Sequence, residues 1–187
     1  MRKEKGFSLI ELLIVVAIIL IIAAIAIPNL LRSKMSAADS AAASTIRTLN
    51  TAEVSYATSY PSWGYADTFT KLGPNPAPPL CAPDTGACLI DNTFTVSAAG
   101  PSPKGGYQYY IQGAAAAAGA AGPIGDYAVT AEPITLGSTG TNVYCSTADA
   151  VVRSQRDAGK SPVVPPGAPG ETVATCQTPG TYLPLKN

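Results

Sequence analysis

The chain passes through three hydrophobic patterns. Residues 7–27 are apolar all round and are broken by a single ionisable group, Glu11. As a helix this run covers roughly 31 Å at 1.5 Å per residue, enough to cross the hydrocarbon core of a bilayer. Pro28 closes it, and because proline lacks a backbone donor and clashes one turn back, a kink or local loosening is expected there. The pattern then changes to one-sided. Met35, Ala38, Ala42, Ile46, Leu49, Ala52, Tyr56 and Tyr60 recur at spacings of three and four, a stripe on one helical face that should pack on a globular head. Arg32, Lys34, Asp39, Arg47 and Glu53 fall mostly off the stripe and are assigned to the wet face. The helix is expected from Phe7 to about Tyr60, on the order of 80 Å long, with Pro61 as its stop.

After Pro61 the period shortens to two. Segment 61–65 reads as a turn and 72–83, rich in proline, as an irregular connection. In segment 107–112 Tyr107, Tyr109 and Ile111 alternate with mostly polar residues, and in segment 127–132 Tyr127, Val129 and Ala131 do the same, so both read as strands. Segments 141–146 and 150–153 supply a third strand and a continuation or fourth. Pro133 and the cluster Gly137-Ser138-Thr139-Gly140 mark turns between them. The tract 113–122, glycine and alanine throughout, reads as a hairpin loop, and 159–170 as a Pro/Gly-rich tail. The expected fold class is α+β: one long N-terminal helix whose second half lies across an antiparallel sheet of three to five strands, with disulfide-closed loops at the edges. The expected division is a leader, 1–6, a helix, 7–60, whose part 7–27 is transmembrane or filament core, and a head, 61–187.

Composition narrows the function. With 12 Lys+Arg against 12 Asp+Glu the formal net charge is zero, and the scattered basic residues form no nucleic-acid surface. The chain has no histidine, which removes the usual general base, the commonest metal ligand and every Ser-His or Cys-His arrangement. The glycine-rich stretches lack the Lys-Ser/Thr or strand-helix setting of a phosphate-binding loop. Asp84, Asp91, Asp126 and Asp149 have no EF-hand spacing and read as solvated surface. The tyrosines, Phe69, Phe94 and Trp63 read as core and surface packing rather than stacking platforms for bases. No enzyme, cofactor or metal site is expected.

Cys81, Cys88, Cys145 and Cys176 form an even set and suggest two disulfides in an oxidising compartment. Cys81 and Cys88 enclose a short turn containing Asp84 and Gly86, whose closure contributes roughly 2.5 kcal/mol by loop entropy. Cys145 and Cys176 would tether the tail for about 3.7 kcal/mol on the same basis. This is the preferred one of three possible pairings, and a cysteine metal site is the alternative.

Three accounts compete for the N-terminus. A secretory signal peptide would use Ala24-Ile25-Ala26 as its cleavage site but leaves a long apolar region carrying a carboxylate. A plain membrane anchor explains the length but not Glu11 so early in the run, where an unpaired carboxylate in lipid costs roughly 3 kcal/mol. The third uses every residue: Lys5-Gly6-Phe7-Ser8-Leu9-Ile10-Glu11-Leu12-Leu13, behind the basic Arg2 and Lys3, resembles the processing site of type IV prepilins. Segment 127–133, the 137–140 cluster, Tyr144, Asp149 and Val151-Val152-Arg153 are in turn similar to the sheet region of many bacterial pilins. The family's usual Asp-Gly before the final strand is absent, since Ala150 follows Asp149.

The resemblance implies cleavage between Gly6 and Phe7 by a membrane peptidase that also methylates the new amine, with the apolar helix retained. Gly6 suits such a cut because the peptide before it can lie extended in a protease cleft. It also implies a helical homopolymer. In it Glu11 of one subunit meets the Phe7 amine of another, so that two charges costly alone are compensated together and set register; Pro28 stands where the family has a proline. The implied partners are further copies of the chain, the prepilin peptidase/N-methyltransferase, a separate assembly ATPase with its inner-membrane platform, and membrane lipid before assembly. The expected location is the inner membrane, then an extracellular pilus serving adhesion, twitching motility or DNA uptake. A pseudopilin of a type II secretion system and a membrane-anchored periplasmic binding module that never polymerises are the alternative readings.

Overall fold

The computed structural model describes residues 8–74, 81–94, 102–113, 123–156, 176–177 and 183–185. The first helix, α1, runs Leu9–Ser59 and contains Pro28; at 1.5 Å per residue it is on the order of 76 Å long. It continues through the proline, because the loss of one N–H leaves only the Ala24 carbonyl without its helical donor. The last turn closes with the Tyr60 N–H on the Tyr56 carbonyl at 2.9 Å, and Pro61 follows.

Only the second half of α1 is covered. Its buried residues are Asp39, Ala42, Ala43, Ile46, Leu49, Asn50, Ala52, Glu53 and Tyr56, which recur at spacings of three and four along one face. Ala42, Ile46, Leu49, Ala52 and Tyr56 are stripe residues; Ala43 is a buried addition to it, and Met35, Ala38 and Tyr60 are half-buried. Asp39 and Glu53, assigned to the wet face, are instead 8% and 0% exposed. Arg32, Lys34 and Arg47 are exposed, as expected.

After α1 come a short helix, α2 (Phe69–Leu72), and a 3-10 turn, Asn92–Phe94. The sheet consists of β1 (Ser102–Lys104), β2 (Tyr107–Gly113), β3 (Tyr127–Pro133), β4 (Asn142–Thr147), β5 (Arg153–Arg156) and β6 (Leu183–Pro184), in sequential order. Every neighbouring pair is antiparallel. This is the expected meander with six strands in place of three to five, the additions being the short edge strands β1 and β6. The fourth strand also begins later than expected. Segment 150–152 belongs to a turn in which Asp149 Oδ1 accepts the Val151 N–H at 3.0 Å and Ala150 takes φ +57°. The absent glycine has therefore been replaced in sequence but not in conformation. A non-glycine residue in this left-handed region costs roughly 1–2 kcal/mol, so Ala150→Gly should raise stability by about 0.5–1 kcal/mol after the extra chain entropy of glycine is subtracted. The urea midpoint of the full-length protein in detergent measures this.

The core lies between α1 and one face of the sheet. Tyr107, Tyr109, Tyr127, Val129, Ala131 and Tyr144 pack with Ala42, Ala43, Ile46 and Leu49; the small alanines let the large rings approach the helix backbone. A second cluster joins Ala52 and Tyr56 to Ala66, Leu72 and Ala87. Gly64 stitches the α1–α2 connection to Ile124, in the segment just before β3, through an isolated parallel bridge. Its φ is +73°, and a Cβ added there would stand 2.2 Å from the Ile124 carbonyl oxygen, while Tyr65 N–H and Ile124 N–H exchange bonds with the Ile124 and Trp63 carbonyls.

The disulfides join Cys81 to Cys88 and Cys145 to Cys176. The first closes the loop under which the Tyr56 hydroxyl donates to the Pro83 carbonyl at 2.6 Å. The second holds Cys176 against Val143 and Cys145 on the sheet face away from α1, where Gln177 Nε2 donates to Thr147 Oγ1 at 3.0 Å. Residues 114–122, 75–80 of the segment 72–83, and the tail 159–170 lie outside the described residues.

Candidate assembly site

Among the described residues nothing covers the first half of α1. Leu9, Ile10, Leu12, Leu13, Ile18, Ile19, Leu20, Ile21, Ile22, Ile25 and Ile27 are all more than half exposed. The helix is long and apolar enough to cross a membrane. A helix that is apolar on every side finds its partner in lipid or in other apolar helices. Leu30 and Leu31 continue the exposed surface past Pro28 at 69% and 54%.

Gly6 and Phe7 lie outside the described residues, so the geometry begins at Ser8. Ser8 is extended, at φ −76° and ψ 138°, and is the N-cap of α1. Glu11 folds back one turn, and its Oε2 accepts the Ser8 N–H at 3.0 Å. In the free chain this carboxylate caps a helix start, where an anion also meets the positive end of the helix dipole. Sequence reasoning treated Glu11 as having no partner within its own chain; Ser at the cap with Glu three residues later was the signal for one. The other lone pairs of Glu11 stay free for a donor outside the chain.

The covered half of α1 is fixed to the head by three polar side chains. Asp39 accepts from the Tyr107 hydroxyl, from the Thr141 N–H at 3.0 Å, from the Thr141 hydroxyl at 2.7 Å and from Asn142 Nδ2 at 3.0 Å. Asn50 donates to Ser146 Oγ at 2.8 Å and accepts from the Tyr127 hydroxyl at 3.1 Å. Glu53 Oε2 accepts the Ala66 N–H at 2.9 Å, while Oε1 has no partner among the described residues. Burial pushes the Glu53 carboxyl up to about 8, opposed by the Ala66 bond and reinforced by the negative charge of Asp67. An alanine-rich stripe can slide along a sheet at little cost, whereas three buried polar groups with fixed partners admit one register. They hold the exposed half of α1 at a set distance from the head. All three were missed as functional residues, although each stands three or four positions from stripe residues.

Among the described residues there is no group of three or more His, Cys, Asp or Glu side chains placed to hold a metal ion. Asp126 and Asp149, read as solvated, bind locally. Asp126 Oδ1 accepts the Tyr127 and Ala148 N–H groups at 2.8 and 3.0 Å, and Asp149 pairs with Arg153 at 2.5 Å, which holds its carboxyl below the usual range.

The family described as the prokaryotic N-terminal methylation motif matches residues 1–27. The chain thus carries a prokaryotic N-terminal methylation motif at the start of one long helix that lies on an antiparallel sheet. Among curated proteins it is 64% identical over 39 residues to the type IV wide pilus major component PilA4 of Thermus thermophilus, a match covering 21% of this chain and 30% of that protein. It is 48% identical over 54 residues to the type IV major pilin protein PilA of Myxococcus xanthus, covering 29% of this chain and 24% of that one. The matched stretches thus span less than a third of either relative. No solved structure matches the chain significantly.

Proposed function

We propose that the chain is a structural subunit of a type IV pilus, drawn from the membrane and polymerised through the N-terminal half of α1. The observation that carries this reading is the bare apolar helix rigidly mounted on a folded head, beginning at a methylation motif. Moving such a helix from lipid into a bundle of like helices exchanges one apolar surrounding for another, so the driving force is small per contact and is summed over many neighbours.

In this reading the prepilin peptidase cuts between Gly6 and Phe7 and methylates the new amine, and Glu11 then exchanges its Ser8 bond for the Phe7 amine of another subunit. The leader is 1–6, the polymerising segment 7–27, and the head 61–187. The chain is not an enzyme; a separate ATPase and inner-membrane platform drive assembly. Two relatives named as major pilins support the polymer over a secretion pseudopilin.

Glu11→Val should leave the protein in the membrane at wild-type level, since it removes a charge from the apolar run, and reduce sheared filament at least tenfold. Immunoblots of membrane and sheared fractions test this. Normal filament yield from the variant would remove the assembly role of Glu11; loss of protein secretion, with no filament in the wild type, would point to the pseudopilin.

A further inference from the structure

The end of the sheet nearest Asp39 carries a second exposed surface. Thr141 and Asn142, bound to Asp39, close the connection that leaves β3, and the Ile134 N–H ties that connection to the Gly106 carbonyl at 3.0 Å. Here, next to where α1 emerges from the head, Gln108, Glu132, Pro133, Ile134, Leu136 and Val143 line an open groove of about 390 Å³. Gln108, Glu132 and Val143 alternate with the core residues Tyr107, Ala131 and Tyr144, so the groove lies on the sheet face away from the chain's own helix. Ile134 and Leu136 are 48% and 43% exposed.

Glu132 gives the groove its chemistry. It is 7% exposed; Oε1 accepts the Tyr110 hydroxyl at 2.5 Å, and Oε2 has no partner among the described residues. Burial holds the carboxyl above its ordinary range, against the Tyr110 bond. A buried, half-satisfied carboxylate beside apolar walls is complementary to a cation carried next to apolar side chains.

The chain itself presents such a segment. Leu30 and Leu31 stand exposed just beyond Pro28, followed at once by the exposed Arg32 and Lys34. Neither cation is in an ion pair among the described residues. Because α1 packs on the opposite face of the sheet, the groove can receive this segment only from another copy.

We propose that the groove binds segment 30–34 of a second copy of this chain, with the leucines against Ile134 and Leu136 and Arg32 or Lys34 on Glu132. The proposal rests on the polymer reading and adds to it a contact between the head of one subunit and the emerging helix of the next. It gives a partner to Leu30, Leu31, Arg32 and Lys34, which stand exposed beyond the apolar run.

Charge exchange in the producing cell tests it. Glu132→Lys alone and the double variant Arg32→Glu/Lys34→Glu should each cut sheared filament at least fivefold with membrane precursor unchanged, and combining all three should return the yield to within twofold of wild type. Because Glu132 is nearly buried, Leu136→Ser, at an exposed position that leaves the fold intact, serves as the second probe and should lower the yield at least threefold. Treating wild-type filaments with a carbodiimide, which joins carboxylates directly to amines, should give an intermolecular Glu132–Lys34 peptide. Single variants that assemble normally, or a combined variant no better than the singles, would overturn the contact while leaving the pilus reading standing. A wild type that makes no filament of this chain would overturn both.

Discussion

Asp39→Ala destabilises the head by about 3–5 kcal/mol and uncouples it from its helix. The carboxylate is 8% exposed and accepts bonds from Tyr107, Thr141 and Asn142. Truncating one member of such a network leaves the donors buried without a partner, and each orphaned donor costs about 1–3 kcal/mol. The loss falls on the connection between β3 and β4, which reaches α1 across more than a hundred residues of chain. Denaturant unfolding of the full-length protein in detergent, followed by tyrosine and Trp63 fluorescence, should show the lower midpoint. Hydrogen exchange should show faster exchange at Thr141 before any change near Gly64. Asp39→Asn, which keeps the shape and part of the accepting capacity, should lose less than half as much. Equal losses for the two variants would mean that packing, and not the bonds, fixes the helix there.

The second large effect is a dependence of stability on pH that centres on Glu53. Its carboxyl is held up to about 8 by burial, against about 4.5 in an unfolded chain. Between those values the folded state keeps a proton that the unfolded state has lost, so stability falls as pH rises. The contribution is present in full below about 4.5 and is gone once pH has passed about 8. A shift of this size corresponds to roughly 3–5 kcal/mol across the window. With no histidine in the chain and the cysteines in disulfides, few other side chains titrate there; Glu132, raised by its own burial, adds a slope of the same sign. Glu53→Gln should flatten most of this dependence and be the more stable protein at pH 8.5, read from urea midpoints at half-unit intervals between pH 5 and 9. An unchanged slope in the variant would place the titration elsewhere.

The sequence was legible where one physical signal dominated. The apolar run, the stripe from Met35 to Tyr60 and the proline after it define α1 with local information alone, and α1 ends at Ser59. Tyr107, Tyr109, Tyr127 and Val129 announced β2 and β3 by alternation, and the structure buries all four in the core. The edge strands gave no such signal. β1 and β6 span three and two residues, each with a proline, too short for a period to register; their pairing is decided by neighbours far along the chain.

Asp39 and Glu53 were misplaced for a different reason. A charge between two stripe positions is read as solvent-facing, because the donors that make burial tolerable, Thr141, Asn142 and Ala66, are not visible from the helix. The same blindness hid Glu132. On a strand with one wet face it would be outside, but β3 lies between β2 and β4 and every residue of it except Pro133 is buried. At the candidate site, Glu11 was found from its oddity in an apolar run, while its local bond to Ser8 was overlooked in favour of a partner in another subunit.

The central claim, that this chain is cut and methylated at its N-terminus and then polymerised with its apolar helix intact, is tested most directly by the intact mass and N-terminal sequence of the protein in filaments sheared from the producing cell. The account predicts a chain that begins at Phe7 with one added methyl group and retains all of α1. A chain beginning after Ala26, or one that still begins at Met1 and never leaves the membrane fraction, would contradict it.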